Sequence, residues 1–320
     1  MKILTPTLID LNQAKLGLTA ADQLVSYDPQ APIPDQDRDA DVLISWGNTD
    51  EQLADAAQHL GQLKLVQALL AGPDQLLGAG FSQEVVLASG VGLHSLTVAE
   101  HALALTLNFI RFLPTLADEQ EKSHWASDLG GPQPLHPQDQ VTTLLDARVL
   151  IWGFGSIGQE TARLFKAFGA QVTGIARSAG WRGDFKVITQ DQMGDYLPET
   201  DVLVMVLPAS EQTRAVLNAR VLNQLPPRAY LINVGRGMTV NEEDLIVALE
   251  QGQLAGAALD VTAQEPLPAQ SPLWGTKNLL ITPHTAGGRP VNPEELISYN
   301  LSQLRLQLAG KKPQYRNSMN

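Results

Sequence analysis

Three segments of this sequence place a charged or titratable side chain in a short turn directly after an apolar run. Arg236 follows Leu231–Val234 within Asn233-Val234-Gly235-Arg236-Gly237. Glu265 follows Leu259-Asp260-Val261 and precedes Pro266-Leu267-Pro268. His284 sits in Thr282-Pro283-His284-Thr285-Ala286-Gly287. An imidazole titrates near neutrality and can deliver a proton to a developing oxyanion. A carboxylate on its other nitrogen would fix the tautomer and strengthen it as a base. A guanidinium can grip a carboxylate and polarise a neighbouring carbonyl at once. Taken singly, each of these residues reads equally well as an ordinary loop or turn residue. Together they are the groups needed to protonate a carbonyl that stands beside a carboxylate.

The missing partner for such chemistry is a hydride donor, and a fourth segment supplies its site. Gly153-Phe154-Gly155-Ser156-Ile157-Gly158 fits G-x-G-x-x-G, follows the apolar run Arg148–Trp152 and opens an apolar helical stretch. In that context Gly153 serves the tight turn, Gly155 lets a pyrophosphate approach, and Gly158 lets helix and strand pack closely. The N–H groups of Ser156 and Ile157 would face the phosphates at the helix start. The alternative is a glycine-rich turn without a ligand. About 20 residues on, where an acid would bind the ribose 2′-hydroxyl of NAD, the text reads Ile175-Ala176-Arg177-Ser178. Arg177 and Ser178 suit a 2′-phosphate, and Arg182 offers a second cation, so NADP(H) is favoured and NAD(H) remains possible. The bland reading makes Arg177 a solvated surface residue and lets both cofactors bind.

These segments need strands to carry them. Apolar runs at Lys2–Leu4, Asp41–Trp46, Leu63–Ala71 and Val85–Ala88 alternate with helical stretches, among them Glu51–Leu60. A second series runs through Arg148–Gly153, Gln171–Ile175, Asp201–Leu207, Tyr230–Val234, Leu254–Val261 and Asn278–Thr282, with helices at Gln159–Phe168 and Asn241–Gln251. Alternation of this kind predicts an α/β fold with two Rossmann-like lobes of parallel sheet, one of them binding the dinucleotide, joined by long helices. Thr97–Phe112, apolar on most faces and without Gly or Pro, is the first such helix; Asn292–Leu308 is the last. The expected division is a discontinuous substrate domain, residues 1–96 plus 290–320, around a dinucleotide domain of residues 97–289. Leu129–Gln140 reads as a surface loop, the stretch from Ala176 through Leu197 as irregular, and the tail after Gly310 as loose.

Composition narrows the classes. The 320 residues are 44% hydrophobic and carry a formal charge of −12. Such a surface does not attract nucleic acid or anionic lipid in bulk, and a small anionic substrate needs its own local cation. Cysteine is absent, which excludes thiolate metal sites, disulfides and a cysteine nucleophile. No histidine or acid cluster has metal-ligand spacing, so no metal is expected. The N-terminus does not read as a signal peptide, and no run of about 18 apolar residues offers a membrane span; the expected location is cytoplasmic.

The segments Val98–Leu105 (VAEHALAL), GFGSIG, LPASEQTR, LINVGRG, AALDVTAQEPLP, SPLW and ITPHTAG together resemble the D-isomer-specific 2-hydroxyacid dehydrogenase family, and the Arg177-Ser178 pair is similar to its NADP-dependent glyoxylate/hydroxypyruvate reductase branch. The resemblance implies that Arg236, Glu265 and His284 are catalytic. It implies that the backbone of Leu70, Ala71 and Gly72 helps hold the substrate carboxylate, with Pro73 stiffening that loop where relatives often carry an apolar residue. The dinucleotide would further meet Leu207, Pro208, Thr213, Val234, Asp260 near the nicotinamide carboxamide, His284 and Gly287. Family members are usually homodimers, and Trp125 stands where relatives place an aromatic that can reach the partner's active site. The expected activity is reduction of a small 2-oxo acid to the D-2-hydroxy acid. Two alternatives remain: oxidation of a larger D-2-hydroxy acid, and a dinucleotide-sensing corepressor.

Overall fold

The structure is a computed structural model that describes residues 1–319 except 73, 133, 138 and 139. The expectation about Pro73 therefore lies outside the described residues. The chain forms two compact units: residues 1–94 with 289–320, and residues 95–288.

The first unit opens with strands β1 (Lys2–Pro6), β2 (Gln23–Tyr27) and β3 (Val42–Ser45), helix α1 (Asp50–His59), strand β4 (Leu65–Ala68), the short helix α2 (Asp74–Gly78) and strand β5 (Val86–Ala88). The strands form one parallel sheet in the order β2-β1-β3-β4-β5. Every residue of β3 and β4 is buried, as expected of a parallel sheet covered on both faces. Alternation divides these runs between two cores. Leu4, Leu43 and Val66 pack with Leu53 and Ala56 of α1. Ile3, Val42, Ile44 and Leu65 face the other way.

The second unit contains α3 (Ser95–Ile110), α4 (Leu113–Glu121), β6 (Arg148–Trp152), α5 (Ser156–Ala167), β7 (Gln171–Ile175), β8 (Gly180–Arg182), β9 (Phe185–Ile188), β10 (Val202–Met205), α6 (Ala219–Leu222), β11 (Tyr230–Asn233), α7 (Glu242–Glu250), β12 (Gly256–Leu259) and β13 (Leu279–Ile281). Its sheet runs β13-β12-β11-β10-β6-β7-β9-β8, parallel throughout except for the antiparallel β8–β9 pair. Val149, Ile151, Val202, Val204 and Ile232 share a core with Ala102 and Leu105 of α3 and Phe165 of α5. Their neighbours Leu150, Trp152, Leu203, Met205 and Leu231 share another with Leu245 and Leu249 of α7. Asn241 caps α7, its side chain accepting from the Asp244 N–H at 3.2 Å, with acidic residues in the first turn as the helix dipole favours.

Three expectations need correction. The first long helix ends at Ile110, because Phe112 adopts a left-handed conformation (φ 56°) and a separate helix α4 follows. The stretch after Ala176 is not wholly irregular: it contains the β8–β9 hairpin, which turns through Gly183 at φ 58°.

The tail after Gly310 is not loose. The chain returns to the first unit through α8 (Pro293–Leu308), which buries Leu296, Ile297, Leu301 and Leu304 in the Ile3–Leu65 core. Beyond it, the Met319 N–H donates to the Leu87 carbonyl at 2.8 Å, and Ser318 bridges antiparallel to Ala88. Asn300, fully buried, joins the layers. Its amide donates to Gln67 Oε1 at 2.6 Å and to the Arg316 carbonyl at 3.1 Å, and its oxygen accepts from the Arg316 N–H at 2.9 Å. Asn300→Ala would leave Gln67 Oε1 and two main-chain groups short of partners. A loss of about 2 kcal/mol in urea unfolding is expected.

Candidate active site

The sheet of the second unit brings the ends of β11, β12 and β13 side by side, and each end carries one of the chemical segments. Ligands of open parallel sheets gather at that edge. His284 and Glu265, 19 residues apart in the chain, meet there: His284 Nδ1 lies 2.7 Å from Glu265 Oε2. The other carboxylate oxygen of Glu265 accepts from the Thr262 N–H at 3.1 Å, which fixes the acid's orientation. The pair stays open to solvent, with 47% of the His284 side chain and 37% of the Glu265 side chain exposed. A recess of about 580 Å³ adjoins it, with Leu267, Trp274 and Ile281 among its walls.

His284 is aimed by its backbone. It adopts φ 52°, a left-handed conformation that histidine tolerates better than most residues. The turn is held by Asp260, whose carboxyl is only 1% exposed. The His284 N–H donates to the Asp260 carbonyl at 2.8 Å. The Asp260 carboxylate accepts from the Thr285 N–H at 3.0 Å, the Ala286 N–H at 3.1 Å and the Thr282 hydroxyl at 2.6 Å. The Thr282 hydroxyl in turn stands 3.0 Å from His101 Nε2 on α3, which also lies 3.3 Å from Asp260 Oδ1. Burial alone pushes the Asp260 carboxyl up; the hydrogen bonds from His101, Thr282, Thr285 and Ala286 outweigh it and hold the pKa at about 2. His101 and Thr282 escaped the sequence reading. They stand 181 positions apart, and only their shared reach to Asp260 marks them.

Arg236 is half-buried at the start of the turn after β11, its Nη1 donating to the Gly235 carbonyl at 2.9 Å. Its own carbonyl accepts from the Thr239 hydroxyl at 2.6 Å. The next residue has to be glycine, since a Cβ on Gly237 would fall 1.9 Å from the Thr262 carbonyl carbon. The Arg236 turn thus lies directly on the main chain that leads to Glu265. The structure pairs His284 with Glu265 directly and sets Arg236 on the adjoining turn.

The glycine segment fits a dinucleotide. Gly153 has φ 107°, and a Cβ there would meet the Val206 carbonyl oxygen at 2.4 Å, so the turn presses against the end of β10. A Cβ on Gly158 would meet the Gly153 oxygen at 2.2 Å, whereas one on Gly155 would project into open space. That clearance at the start of α5, with Ser156 and Ile157 opening the helix, is the room a pyrophosphate needs. Phe154 is buried against Gly174 and Phe185, and Arg182 donates to its carbonyl, which ties the β8–β9 hairpin to this turn. Arg177 and Ser178 stand exposed after β7. Leu207 and Pro208 lead the loop after β10, where the Thr213 hydroxyl donates to the Pro208 carbonyl at 2.7 Å. Val234 is buried beyond β11, and Gly287 lies next to Ala286.

The remaining candidates lie elsewhere. Trp125 follows α4 in the second unit and is 88% exposed. Leu70, Ala71 and Gly72 follow β4 in the first unit, and among the described residues the N–H groups of Ala71 and Gly72 have no hydrogen-bond partner. Among the described residues no three His, Asp or Glu side chains converge as metal ligands.

Parallel sheet, glycine turn and the strand-end pair define a dinucleotide-linked oxidoreductase. A family model described as "D-isomer specific 2-hydroxyacid dehydrogenase, NAD binding domain" matches residues 103–286, and the chain belongs to that family. A glyoxylate/hydroxypyruvate reductase A of Escherichia fergusonii is 33% identical over 274 residues, 83% of each chain. A D-isomer specific 2-hydroxyacid dehydrogenase family protein from Aeromonas salmonicida superposes with a TM-score of 0.80 at 28% identity, covering 100% of this chain and 98% of the other. A D-isomer specific 2-hydroxyacid dehydrogenase from Xanthobacter autotrophicus, solved in complex with NADPH and MES, gives 0.77 at 26% identity, covering 100% and 97%.

The depressed Asp260 pKa sets a pH signature. A carboxyl lowered on folding from its ordinary 3.8 to about 2 stabilises the fold fully above its unfolded value. That contribution, about 2 kcal/mol, is lost as pH falls through about 2. Asp260→Asn should therefore lie below the wild type in unfolding free energy at pH 7, and the gap should narrow between pH 4 and 2. A constant gap would show that the charge is not what holds the turn.

Proposed function

We propose that this chain reduces a small 2-oxo acid of the glyoxylate or hydroxypyruvate type to the D-2-hydroxy acid, with NADPH as the preferred reductant. The observation that carries this reading is the 2.7 Å His284–Glu265 pair at the strand edge that also bears the glycine turn. When bound, the reduced nicotinamide supplies the hydride. The protein supplies the rest. His284 gives a proton from Nε2 to the carbonyl oxygen as negative charge develops there. Glu265 accepts the Nδ1 hydrogen and fixes the orientation of the ring, which leaves Nε2 for the substrate. Arg236 orients the substrate and polarises its carbonyl. In the first unit, the N–H groups of Ala71 and Gly72, without partners among the described residues, receive the carboxylate.

The NADPH preference rests on Arg177 and Ser178, exposed where an acid would otherwise repel a 2′-phosphate; the NADPH-bound Xanthobacter neighbour supports it. The partner is a second copy of the chain, for which the exposed Trp125 beside a groove lined by Leu116 and Leu129 is the support. Light scattering should give a dimer, and a monomer at micromolar concentration would remove this part of the reading.

Steady-state kinetics with glyoxylate, hydroxypyruvate and a branched-chain 2-oxo acid test the reaction. The smallest acids should turn over fastest with NADPH, and His284→Asn should cut kcat about 10²- to 10⁴-fold. Arg177→Gln should raise KM for NADPH about tenfold and leave that for NADH within about twofold. Wild-type preference for NADH would remove the role of Arg177 and leave the acid–base pair untouched.

A further inference from the structure

His94 carries no chemistry of its own in the reading above, yet the structure ties it to the loop that receives the carboxylate. It is the last residue of the first unit before the chain passes to the second. Only 3% of it is exposed. Its ring stacks on Trp46, at the end of β3, with centroids 5.5 Å apart and planes 11° from parallel. Nε2 lies 2.7 Å from the Leu69 carbonyl oxygen. A ring nitrogen so close to a carbonyl oxygen carries the hydrogen and donates it. Burial lowers the affinity of this imidazole for a second proton, opposed by its main-chain partners at Leu69 and Arg289.

Leu69 begins the segment that continues as Leu70, Ala71 and Gly72. The structure grips it from several sides. Its N–H donates to the Ser45 carbonyl at 2.9 Å, and the Leu70 carbonyl accepts from the Gly90 N–H at 2.7 Å. Gly90 is so close that a Cβ there would lie 2.1 Å from the Leu69 oxygen. Each of these contacts but one comes from main chain, where a side-chain change alters little. The exception is His94. The backbone beyond these anchors offers two N–H groups without partners among the described residues, those of Ala71 and Gly72. The direction of an N–H follows from the peptide planes before it, so an error at the Leu69 carbonyl is passed on to both donors. A carboxylate bound by two such donors is sensitive to that error, because hydrogen bonds weaken steeply away from linearity.

We propose that His94 is a positioning residue for the substrate carboxylate, acting through the Leu69 carbonyl to set the Ala71 and Gly72 donors. The inference rests on the reductase reading for the loop's ligand and goes beyond it in assigning part of substrate affinity to a buried side chain that never touches substrate.

The test uses the full chain and two variants. His94→Phe keeps a ring to stack on Trp46 and removes the donor. His94→Gln removes the ring and keeps a donor at nearly the Nε2 position. KM is measured for glyoxylate and for NADPH. Binding of oxamate, an unreactive analogue of a 2-oxo acid, is measured by calorimetry with NADPH present. His94→Phe is expected to raise the glyoxylate KM and the oxamate Kd about tenfold, with the NADPH KM within about twofold. His94→Gln should recover most of that loss. Wild-type oxamate affinity in His94→Phe overturns the proposal. So does an equal rise in both KM values that His94→Gln does not repair, since that marks a general loss of the fold. A wild-type chain that neither turns over a 2-oxo acid nor binds oxamate overturns the reductase reading itself, and the role of the loop with it.

Discussion

A single buried charge organises the strand-end edge of the second unit that carries His284 and Glu265. Asp260 stands at the end of β12 with almost no exposure, and an isolated carboxylate there would be driven to its neutral form. It stays ionised because donors converge on it from three directions: Thr282 beyond β13, the Thr285 and Ala286 N–H groups, and His101 on α3. The same contacts shape the turn on which His284 sits, and the histidine's own N–H closes it onto the Asp260 carbonyl. The position of His284 therefore depends on a buried carboxylate outside the His284–Glu265 pair. From that fixed point the rest of the site can be traced along main chain. Thr262, two residues beyond Asp260, orients Glu265 through its N–H and receives the Arg236–Gly237 turn against its carbonyl. Gly235 packs on Leu207, and Gly153 on Val206. The turns at the ends of β12, β11, β10 and β6 thus touch in sequence with no side chain between them, which is why glycines occupy these places.

The sheet was legible in the text because buried parallel strands are written as continuous apolar runs. Val42–Ser45, Val202–Met205 and Tyr230–Asn233 are buried at every residue, and each lies inside a run read as a strand. The elements that escaped have no such signature. The β8–β9 hairpin alternates exposed and half-buried residues over a few positions and buries chiefly Val187 and Ile188, so it blends into the polar stretch around it. The break between α3 and α4 falls at Arg111-Phe112, where the apolar run itself holds no glycine or proline; the one signal is Pro114, in the first turn of α4. The tail from Gln314 to Met319 has no apolar periodicity at all; it is ordered by main-chain bonds to β5 and by Asn300, a residue whose partners lie up to 233 positions away.

The site divides in the same way. Arg236, Glu265 and His284 were visible because their chemistry is unusual for turns after apolar runs, and the glycine segment because its spacing encodes a backbone shape. Their supports were not visible. In the sequence alone His101 is a core or interface residue of an apolar helix, Thr282 ends a strand, and His94, just ahead of that helix, is either a loop residue or one that approaches the substrate. What singles them out is the atom each one reaches, and that depends on how distant segments fold together. The second unit holds the His284–Glu265 pair and the glycine turn; in the first, the loop after β4 is fixed by a stacked, buried histidine.

The most direct test of the account is to follow the hydride itself. NADPH deuterated at the transferable position is mixed with hydroxypyruvate and this protein, and the glycerate formed is examined for label and configuration. The account predicts one deuterium at C2 and the D configuration, formed by the wild type and not by His284→Asn at comparable rate. Glycerate of the L configuration, label in solvent rather than at C2, or equal product from the His284 variant would contradict it.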